Sequence, residues 1–203
     1  MRIIAGKYRR RKLLANPGTT TRPITDRAKE RLFENLGGQL GGERVADVFA
    51  GTGSMGIEAL SRGAARCVFI EKDRKAHELL HRNVRTLNIE ADVVCWKTDV
   101  LRCSFQPKGV AGFVPYDLIF FDPPFPMLVR MQPDSPMFRA WERLARPRVS
   151  SDDVLLVLRA PSRHEVPVPA HWRREWMIEE GAMDIHVFSK NIACPLDDVT
   201  APE

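Results

Sequence analysis

The chain has 203 residues, of which 44% are hydrophobic and 28% are charged, and its formal net charge is +5. This length and composition are typical of a globular protein that has one main domain and its own hydrophobic core. They exclude a disordered or fibrous chain. No run approaches the ~20 apolar residues that a membrane helix needs, and the polar start does not resemble a signal peptide.

Four cysteines occur without C-x-x-C spacing, and two of them, Cys67 and Cys95, lie in apolar, strand-like runs. This pattern predicts reduced thiols rather than disulfides or a metal site. We therefore expect a cytoplasmic protein that holds no metal, makes no membrane contact and is a monomer.

The positive charge is concentrated at the N-terminus. Residues 1–31 contain ten of the 31 Lys and Arg residues but only two of the 26 acidic ones, so the rest of the chain is slightly acidic. Clustered basic side chains gain a counterion-release term on a polyanion that scattered charges do not. This segment therefore favours binding to a nucleic acid.

Two elements are predicted within this basic segment. Short apolar runs on either side of Gly6 predict a β-hairpin over 2–14, and Asn16-Pro17-Gly18 predicts a turn. A helix follows, capped by Thr25 or Asp26 and ended by two glycines at 37–38. Its predicted apolar face consists of Ala28, Leu32, Phe33 and Leu36, and its predicted polar face of Arg27, Lys29 and Arg31. We predict that residues 1–40 form a basic extension.

Strands and helices alternate from residue 41 to residue 190, which we predict to be the main domain. The pattern predicts strands near 44–49, 66–71, 92–96, 116–121 and 154–158, helices near 55–62, 73–87 and 137–146, and a closing hairpin of 172–178 with 183–188. Such β/α alternation predicts an α/β fold with a mostly parallel sheet and helices on both faces. The tail, 191–203, is polar and predicted to be flexible.

A glycine-rich turn joins the first of these strands to a helix. Gly51, Gly53 and Gly56 form a G-x-G-x-x-G motif in a strand–turn–helix context, which is typical of a nucleotide-type cofactor site. The candidate cofactor-binding residues of this turn are Asp47, Phe49, Ala50, Gly51, Thr52, Gly53 and Gly56.

Carboxylates follow the next two strands. Glu71 ends the second strand, 20 residues after Gly51, where it can accept hydrogen bonds from two ribose hydroxyls. Asp99 follows the third strand and is expected to meet an adenine edge. With their neighbours Lys72 and Val100 they complete the candidate cofactor residues, which fit NAD and S-adenosylmethionine equally well.

The fourth strand ends in Asp122-Pro123-Pro124-Phe125. Two prolines hold the backbone extended and remove two N–H donors, which leaves carbonyl acceptors. Asp122 adds a carboxylate acceptor, and Phe125 adds a flat face for a planar ring. Together they predict a site for an exocyclic amine on an aromatic heterocycle, with these four residues as the catalytic candidates.

The Asp-Pro-Pro-Phe sequence resembles the motif of class I S-adenosylmethionine-dependent amino-methyltransferases. Three segments, 1–7 with its basic continuation, 22–33 and 47–65, together with Glu71-Lys72-Asp73, resemble the RsmD-like family. The resemblance implies a Rossmann-like seven-stranded sheet and S-adenosylmethionine as the methyl donor. It also implies methylation of the 2-amino group of a guanine in 16S ribosomal RNA, in an assembling small subunit.

The same resemblance makes the basic extension an RNA-binding element. Its candidate residues are Lys7, Arg9, Arg10, Arg11, Lys12, Arg22, Thr25 and Arg27. The chain departs from the family in two places: Arg159 stands after the fifth strand, where relatives commonly have an acidic residue, and 126–136 reads as irregular where they have a helix.

Three alternatives remain open at this point. An amino-methyltransferase could act on DNA adenine or on protein glutamine, although the basic extension argues against a protein substrate. An NAD(P)-linked oxidoreductase would use the same glycine turn but leaves Asp122 to Phe125 unexplained. A non-catalytic RNA-binding module is the third alternative.

Overall fold

A computed structural model describes residues 1–15, 24–194 and 196. The helices are α1 (Asp26–Asn35), α2 (Ser54–Ser61), α3 (Arg74–Leu87), α4 (Phe125–Val129) and α5 (Pro136–Arg143), and the strands are β1 (Arg44–Val48), β2 (Arg66–Ile70), β3 (Val93–Trp96), β4 (Tyr116–Phe121), β5 (Ser150–Pro161), β6 (Trp172–Glu180) and β7 (Met183–Lys190). The predicted turn at 16–18 and most of the predicted tail lie outside the described residues.

The strands form one seven-stranded sheet in the order β3-β2-β1-β4-β5-β7-β6. Strands β1 to β5 are parallel, and β7 runs antiparallel to both β5 and β6. The predicted α/β class, with a mostly parallel sheet and a closing antiparallel hairpin, is therefore confirmed. Because parallel strands share one carboxyl edge, the turns after β1, β2, β3, β4 and β5 all meet there.

Helices cover both faces of the sheet, as buried parallel strands require. Apolar side chains of α1, α2 and α3 pack on one face. Those of α4 and α5 pack on the other, where Trp141 contacts the rings of Phe121 and Phe188. Within the described residues, no helix is both long enough and apolar enough to cross a bilayer.

Two elements differ from the prediction. Strand β5 begins at Ser150 and ends at Pro161, because it continues beyond its apolar centre while paired with β4 on one side and β7 on the other. The segment predicted to be irregular, 126–136, contains most of the five-residue helix α4. Strand pairing sets the length of β5, and packing on the sheet sets the position of α4. Both depend on residues that are distant in the sequence, so a local pattern does not predict them.

The structure contains the predicted N-terminal hairpin: Arg2 and Lys12 form an antiparallel bridge, and the Ile3 amide donates to the Arg11 carbonyl at 3.0 Å. Instead of extending a sheet, the segment docks on the end of α2, where the Lys7 amide donates to the Ser61 carbonyl at 2.7 Å. Gly6 has φ 80°, and a Cβ there would lie 1.7 Å from that carbonyl oxygen. Only glycine allows this approach.

Lys29 was predicted on the polar face of α1, and this is wrong. Its side chain is 1% exposed, and its Nζ lies 3.0 Å from Oε2 of the fully buried Glu58. Arg62 donates to the same carboxylate from Nε at 2.9 Å. A long basic side chain thus crosses the apolar face of its helix to reach a charge partner that the sequence does not reveal.

The division of the chain at residue 40 stays a prediction. Ile3, Leu13 and Phe33 belong to the same apolar cluster as Val45 and Phe120 of the sheet, and the rings of Phe33 and Phe120 lie 5.8 Å apart. These described residues of the N-terminal part therefore share one core with the strands.

Candidate active site

The glycine turn after β1 contains positive φ angles, as expected for a sharp turn that glycine permits. Phe49, Gly51 and Gly53 have φ values of 64°, 57° and 86°. A Cβ on Gly51 would meet no atom within 4 Å, whereas a Cβ on Gly56 would lie 2.4 Å from Cε1 of Phe69. Gly51 therefore keeps space open at the carboxyl edge, and Gly56 allows α2 to pack closely on β2.

Asp47 lies behind this turn. Its side chain is buried, and Oδ2 accepts a 2.8 Å hydrogen bond from the Gly56 amide. Burial raises the pKa of its carboxyl to about 8, against the lowering effect of that hydrogen bond. We therefore give Asp47 a positioning part: it fixes the turn to α2 and lies behind the surface that a cofactor would touch.

The remaining residues of the turn contribute mainly backbone. The Ala50 amide donates to the Ile70 carbonyl at 3.1 Å, which joins the turn to the end of β2. Thr52 is buried, and its carbonyl accepts a 2.9 Å hydrogen bond from Asn83. Asn83 also bonds both backbone groups of Leu14 and so connects the turn to the N-terminal segment.

Glu71 and Asp99 both lie at this carboxyl edge. Glu71 accepts from the Gly51 amide at 2.8 Å through Oε2 and from the Asp73 amide at 2.7 Å through Oε1. Asp99 accepts from the Leu101 amide at 3.0 Å, and Lys72 Nζ lies 3.6 Å from its other oxygen. Each carboxylate retains lone pairs for a ligand. Val100 is buried, and its carbonyl accepts from Arg143 Nη2 at 3.3 Å.

The Asp122–Phe125 segment leaves the sheet beside the glycine turn. Phe121 of β4 lies opposite Val48 of β1, and the Asp122 amide donates to the Val48 carbonyl at 3.1 Å. Pro123 is buried. Pro124 has ψ 132°, and its carbonyl accepts the first amide bonds of α4. Of the two proline carbonyls, the one we assign to an incoming amine is therefore that of Pro123.

Phe125 is the first residue of α4, half-buried against the apolar cluster of the α1–α3 face. One face of its ring is therefore supported by the protein. Such support holds an aromatic ring in place for stacking.

Arg159 binds Asp122 bidentately. Nε donates to Oδ1 at 2.9 Å and Nη2 donates to Oδ2, and the two side chains are only 10% and 19% exposed. The register explains the pair: Phe121 lies opposite Leu158 in the parallel β4–β5 ladder, so the next residues along both strands are neighbours. The sequence placed Arg159 after the fifth strand, but did not identify Asp122 as its partner.

The predicted RNA-binding residues do not gather at this edge. Lys7, Arg9, Arg10, Arg11 and Lys12 are exposed. Their segment lies near the C-terminal ends of α2 and α3, where Arg11 Nη2 donates to the Thr86 carbonyl at 3.1 Å. Basic side chains at this position also interact favourably with the negative ends of the α2 and α3 helix dipoles. The same segment is joined to the glycine turn through Asn83, which bonds both Leu14 and the Thr52 carbonyl.

The other three candidates have separate places. Thr25 caps α1 and accepts from the Ala28 amide at 3.0 Å, so its hydroxyl has a structural part. Arg27 is exposed in the first turn of α1. Arg22 lies outside the described residues.

Two curated proteins that this chain resembles in sequence are named as ribosomal RNA methyltransferases. "Ribosomal RNA small subunit methyltransferase D" of Haemophilus influenzae is 40% identical over 129 residues, which are 62% of this chain and 64% of that protein. The Escherichia coli protein of the same name is 40% identical over 126 residues, which are 62% of this chain and 60% of that protein. The alignments thus span less than two thirds of these relatives.

Comparison of folds covers more of the chain. The solved structure of yhhF from Escherichia coli matches with a TM-score of 0.74 and 30% identity, over 94% of this chain and 97% of that one. The model of the family described as "Conserved hypothetical protein 95" matches residues 1–188. The chain therefore belongs to this family, the RsmD-like family that its sequence resembles.

Proposed function

We propose that this protein transfers a methyl group from S-adenosylmethionine to the 2-amino group of a guanine in small-subunit ribosomal RNA. The observation that carries the proposal is the position of Asp122 to Phe125 next to the glycine turn, on adjoining strands β4 and β1 of one carboxyl edge. An amine acceptor and a nucleotide-type site side by side suit transfer between two bound molecules. The names of the relatives support the RNA substrate.

The residues at this edge fit S-adenosylmethionine. Open space beside Gly51 admits a ligand against the backbone, and Glu71 and Asp99 can accept hydrogen bonds from ribose and adenine. When bound, this cofactor supplies an electrophilic methyl group. The N–C bond would form as the S–C bond of the sulfonium breaks, S-adenosylhomocysteine would leave, and the surplus proton of the nitrogen would pass to water after the transfer. The protein's own task is then to orient the amine.

Asp122 and the Pro123 carbonyl act on the amine. Guanine's 2-amino nitrogen is a poor nucleophile because its lone pair is delocalised into the ring. Two acceptors hold its hydrogens and favour a pyramidal nitrogen, which stabilises the transition state more than the ground state. Phe125 stacks on the base once it has left its helix or loop, and such stacking contributes ~1–3 kcal/mol.

Arg159 changes the electrostatics of this step. A bidentate arginine uses two of the four lone-pair directions of the Asp122 carboxylate and leaves two for the amine. Positive charge develops on the attacking nitrogen. The Arg159 guanidinium repels this charge, whereas the Asp122 carboxylate attracts it. We infer that Arg159 orients the carboxylate, and that the negative charge of Asp122 cancels the repulsion between the guanidinium and the nitrogen.

The deciding experiment incubates the protein with radiolabelled S-adenosylmethionine and ribosomal particles from cells that lack this modification. We expect label in the RNA, at the 2-amino group of one guanine, as mapped by nuclease digestion and mass spectrometry. Parallel incubations contain DNA and total protein. Label in either of these, with none in RNA, would overturn the proposal in favour of a different amino substrate.

The oxidoreductase alternative is separated by ligand binding. A thermal shift with S-adenosylmethionine or S-adenosylhomocysteine, and none with NAD or NADP, is the expected result. The reverse pattern would assign the glycine turn to a hydride carrier.

A further inference from the structure

One exposed face of α3 is strongly basic. Lys75, Arg82 and Arg85 are exposed and occupy positions i, i+7 and i+10 of the helix, so they lie within an arc of about 80° around its axis. None of the three has an ion-pair partner among the described residues. The fourth exposed cation of α3, Arg74, differs because it pairs with Glu78 at 3.0 Å. We call the three unpaired cations the α3 basic face.

The basic N-terminal segment lies directly against this helix. Arg11 donates from Nη2 to the Thr86 carbonyl at 3.1 Å. Arg82 lies one turn before Thr86, whose hydroxyl donates to the Arg82 carbonyl at 2.7 Å. Asn83 fixes this arrangement, because its buried side chain bonds both backbone groups of Leu14. The N-terminal segment and the α3 basic face are therefore parts of one surface.

The two helices that contact the N-terminal segment, α1 and α3, differ in charge. The exposed residues of α3 include four Lys or Arg and one acidic side chain, whereas those of α1 include two of each. On α1, moreover, Arg31 pairs with Glu180 at 2.8 Å, and Asp26 pairs with Arg2 at 2.7 Å. Clustered, unpaired cations gain a counterion-release term on a polyanion. This term favours a polyanion that continues from the N-terminal segment over α3 and not over α1.

The α3 basic face extends from the N-terminal segment towards the carboxyl edge of the sheet. Lys75 is in the first turn of α3, and Arg82 follows about 10 Å further along the helix axis. Asp73, the N-terminal cap of the helix, donates its amide to Glu71 at 2.7 Å. Because Glu71 is a candidate cofactor residue, one end of the face lies near the proposed cofactor site, and the other lies beside Arg11.

The helix dipole accounts for only one of these cations. A basic side chain in the last turn interacts favourably with the negative end of the dipole, and this applies to Arg85. Arg82 lies before the last turn, where the effect has fallen off. Lys75 lies in the first turn, where the positive end of the dipole disfavours a cation. Two of the three cations therefore have no stabilising role within the helix, which indicates an external anion.

We propose that Lys75, Arg82 and Arg85 bind backbone phosphates of the substrate RNA, and that the α3 basic face holds the RNA between the N-terminal segment and the carboxyl edge. This rests on the proposed function, which supplies RNA as the substrate. Contacts to phosphates fix the position and orientation of the RNA and carry no sequence information. The face therefore contributes affinity and placement, and the choice of the guanine is made elsewhere.

The first test measures RNA binding by the double variant Arg82→Gln with Arg85→Gln at several salt concentrations. The probe is small-subunit ribosomal RNA transcribed in vitro. We expect the slope of log K against log salt to fall by roughly 1.5, because two phosphate contacts are lost. Raising the salt from about 50 to about 200 mM should then weaken binding by the wild type about eightfold more than binding by the variant. An unchanged slope would overturn the proposal.

Lys108→Gln with Arg139→Gln is the matched control. Both residues are exposed, and Arg139 is on α5, which covers the opposite face of the sheet. The two double variants have the same net charge, so an equal fall in both slopes would show that only total charge matters and would refute the assignment. Lys75→Gln tests the other end of the face and should reduce the slope by roughly 0.8. Thermal melting checks that each variant folds.

Methylation kinetics separate this inference from the proposed function. Phosphate contacts are made in the ground state as well as in the transition state, so Arg82→Gln with Arg85→Gln should raise KM for the RNA about tenfold while kcat falls less. Methyl transfer with an unchanged KM would reject the α3 basic face alone. RNA binding that depends on Arg82 and Arg85, without methyl transfer to RNA by the wild type, would reject the proposed function but keep the RNA-binding face.

Discussion

At the scale of single residues, the Asp122 carboxylate has two roles. It holds the buried Arg159 guanidinium, and it is the acceptor that we assign to the substrate amine. The β4 strand contains a matched pair at its other end, where Asp117 binds Arg44 through both Nε at 2.9 Å and Nη2 at 2.8 Å. Asp117 can therefore serve as the control for substitutions of Asp122.

We expect Asp122→Ala to lower the single-turnover rate of methyl transfer by about 100-fold or more, because an interaction made mainly in the transition state is lost. Asp117→Ala removes an equivalent Arg–carboxylate pair far from the carboxyl edge and should leave the rate within about twofold. Rapid-quench assays with labelled cofactor measure both. Equal losses in the two variants would mean that Asp122 acts only through stability.

Asp47 predicts a pH dependence of stability. Its folded pKa is about 8, raised by burial from an ordinary 3.8, so the folded state binds more protons than the unfolded state between these values. The contribution is fully present below about pH 4 and is lost as the pH rises through about 8. Asp47→Asn keeps an acceptor for the Gly56 amide but cannot ionise.

We therefore expect the wild type to lose free energy of unfolding relative to Asp47→Asn between about pH 5 and pH 8, by an amount of the order of 1 kcal/mol or more. Urea denaturation at a series of pH values measures the difference. Parallel curves for the two proteins would show that Asp47 is ionised throughout this range.

At the scale of elements, α2 is the platform on which the N-terminal segment docks. The buried Glu58 carboxylate accepts from the amides of Ile4 and Ala5 at 2.9 and 3.1 Å as well as from Lys29 and Arg62. Four donors from three separate parts of the chain thus meet one carboxylate. The segment is held by charge-assisted hydrogen bonds rather than by strand pairing.

Glu58→Gln should destabilise the protein by about 3–5 kcal/mol, because two buried cations lose their compensating charge. Glu78→Gln is the matched control, since Glu78 pairs with Arg74 at the same i,i+4 spacing on the exposed side of α3, and it should cost at most about 0.5 kcal/mol. Thermal melting gives the stabilities, and amide hydrogen exchange at Ile4 and Ala5 reports the docking. A small effect in both variants would mean that Glu58 contributes little.

The elements also show where sequence patterns suffice. Helix α3 begins at the Asp73 cap, whose side chain accepts from the Ala76 amide, and ends at Asn88 in the left-handed conformation. These are local signals, and its predicted bounds were close to those observed. The position of Lys29 was mispredicted because its partner, Glu58, is distant in sequence and belongs to another helix. The docking of the N-terminal hairpin on Ser61 depends on the same distant helix.

At the scale of the whole molecule, positive charge and chemistry lie at different places. The basic segment lies near the C-terminal ends of α2 and α3, while the candidate catalytic residues lie at the carboxyl edge of the sheet. The two places are linked through Asn83, which bonds Leu14 of the basic segment and the Thr52 carbonyl of the glycine turn.

A paired replacement, Arg9→Gln with Arg10→Gln, should weaken RNA binding and reduce the slope of log K against log salt by roughly 1.5, because two phosphate contacts are lost. The control is Lys108→Gln with Arg148→Gln, which removes two exposed charges outside the segment. Filter binding at several salt concentrations measures the slopes. Equal slopes for both double variants would show that total charge matters and the position of the segment does not.

Local sequence patterns were enough to predict the α/β class and the strand–turn–helix around Gly51. The basic N-terminus and the Asp122-Pro123-Pro124-Phe125 motif can be read directly from the sequence, and the acceptor role of Asp122 stays a prediction. These follow from local periodicity and from residue types whose chemistry is fixed. Only the folded chain reveals that Arg159 binds Asp122 and that Glu58 holds the N-terminal segment. It also shows that Asp184 Oδ1 and both ring nitrogens of His186 are buried without a partner among the described residues. Such pairs depend on which strands and helices become neighbours, and a linear pattern does not encode that choice residue by residue.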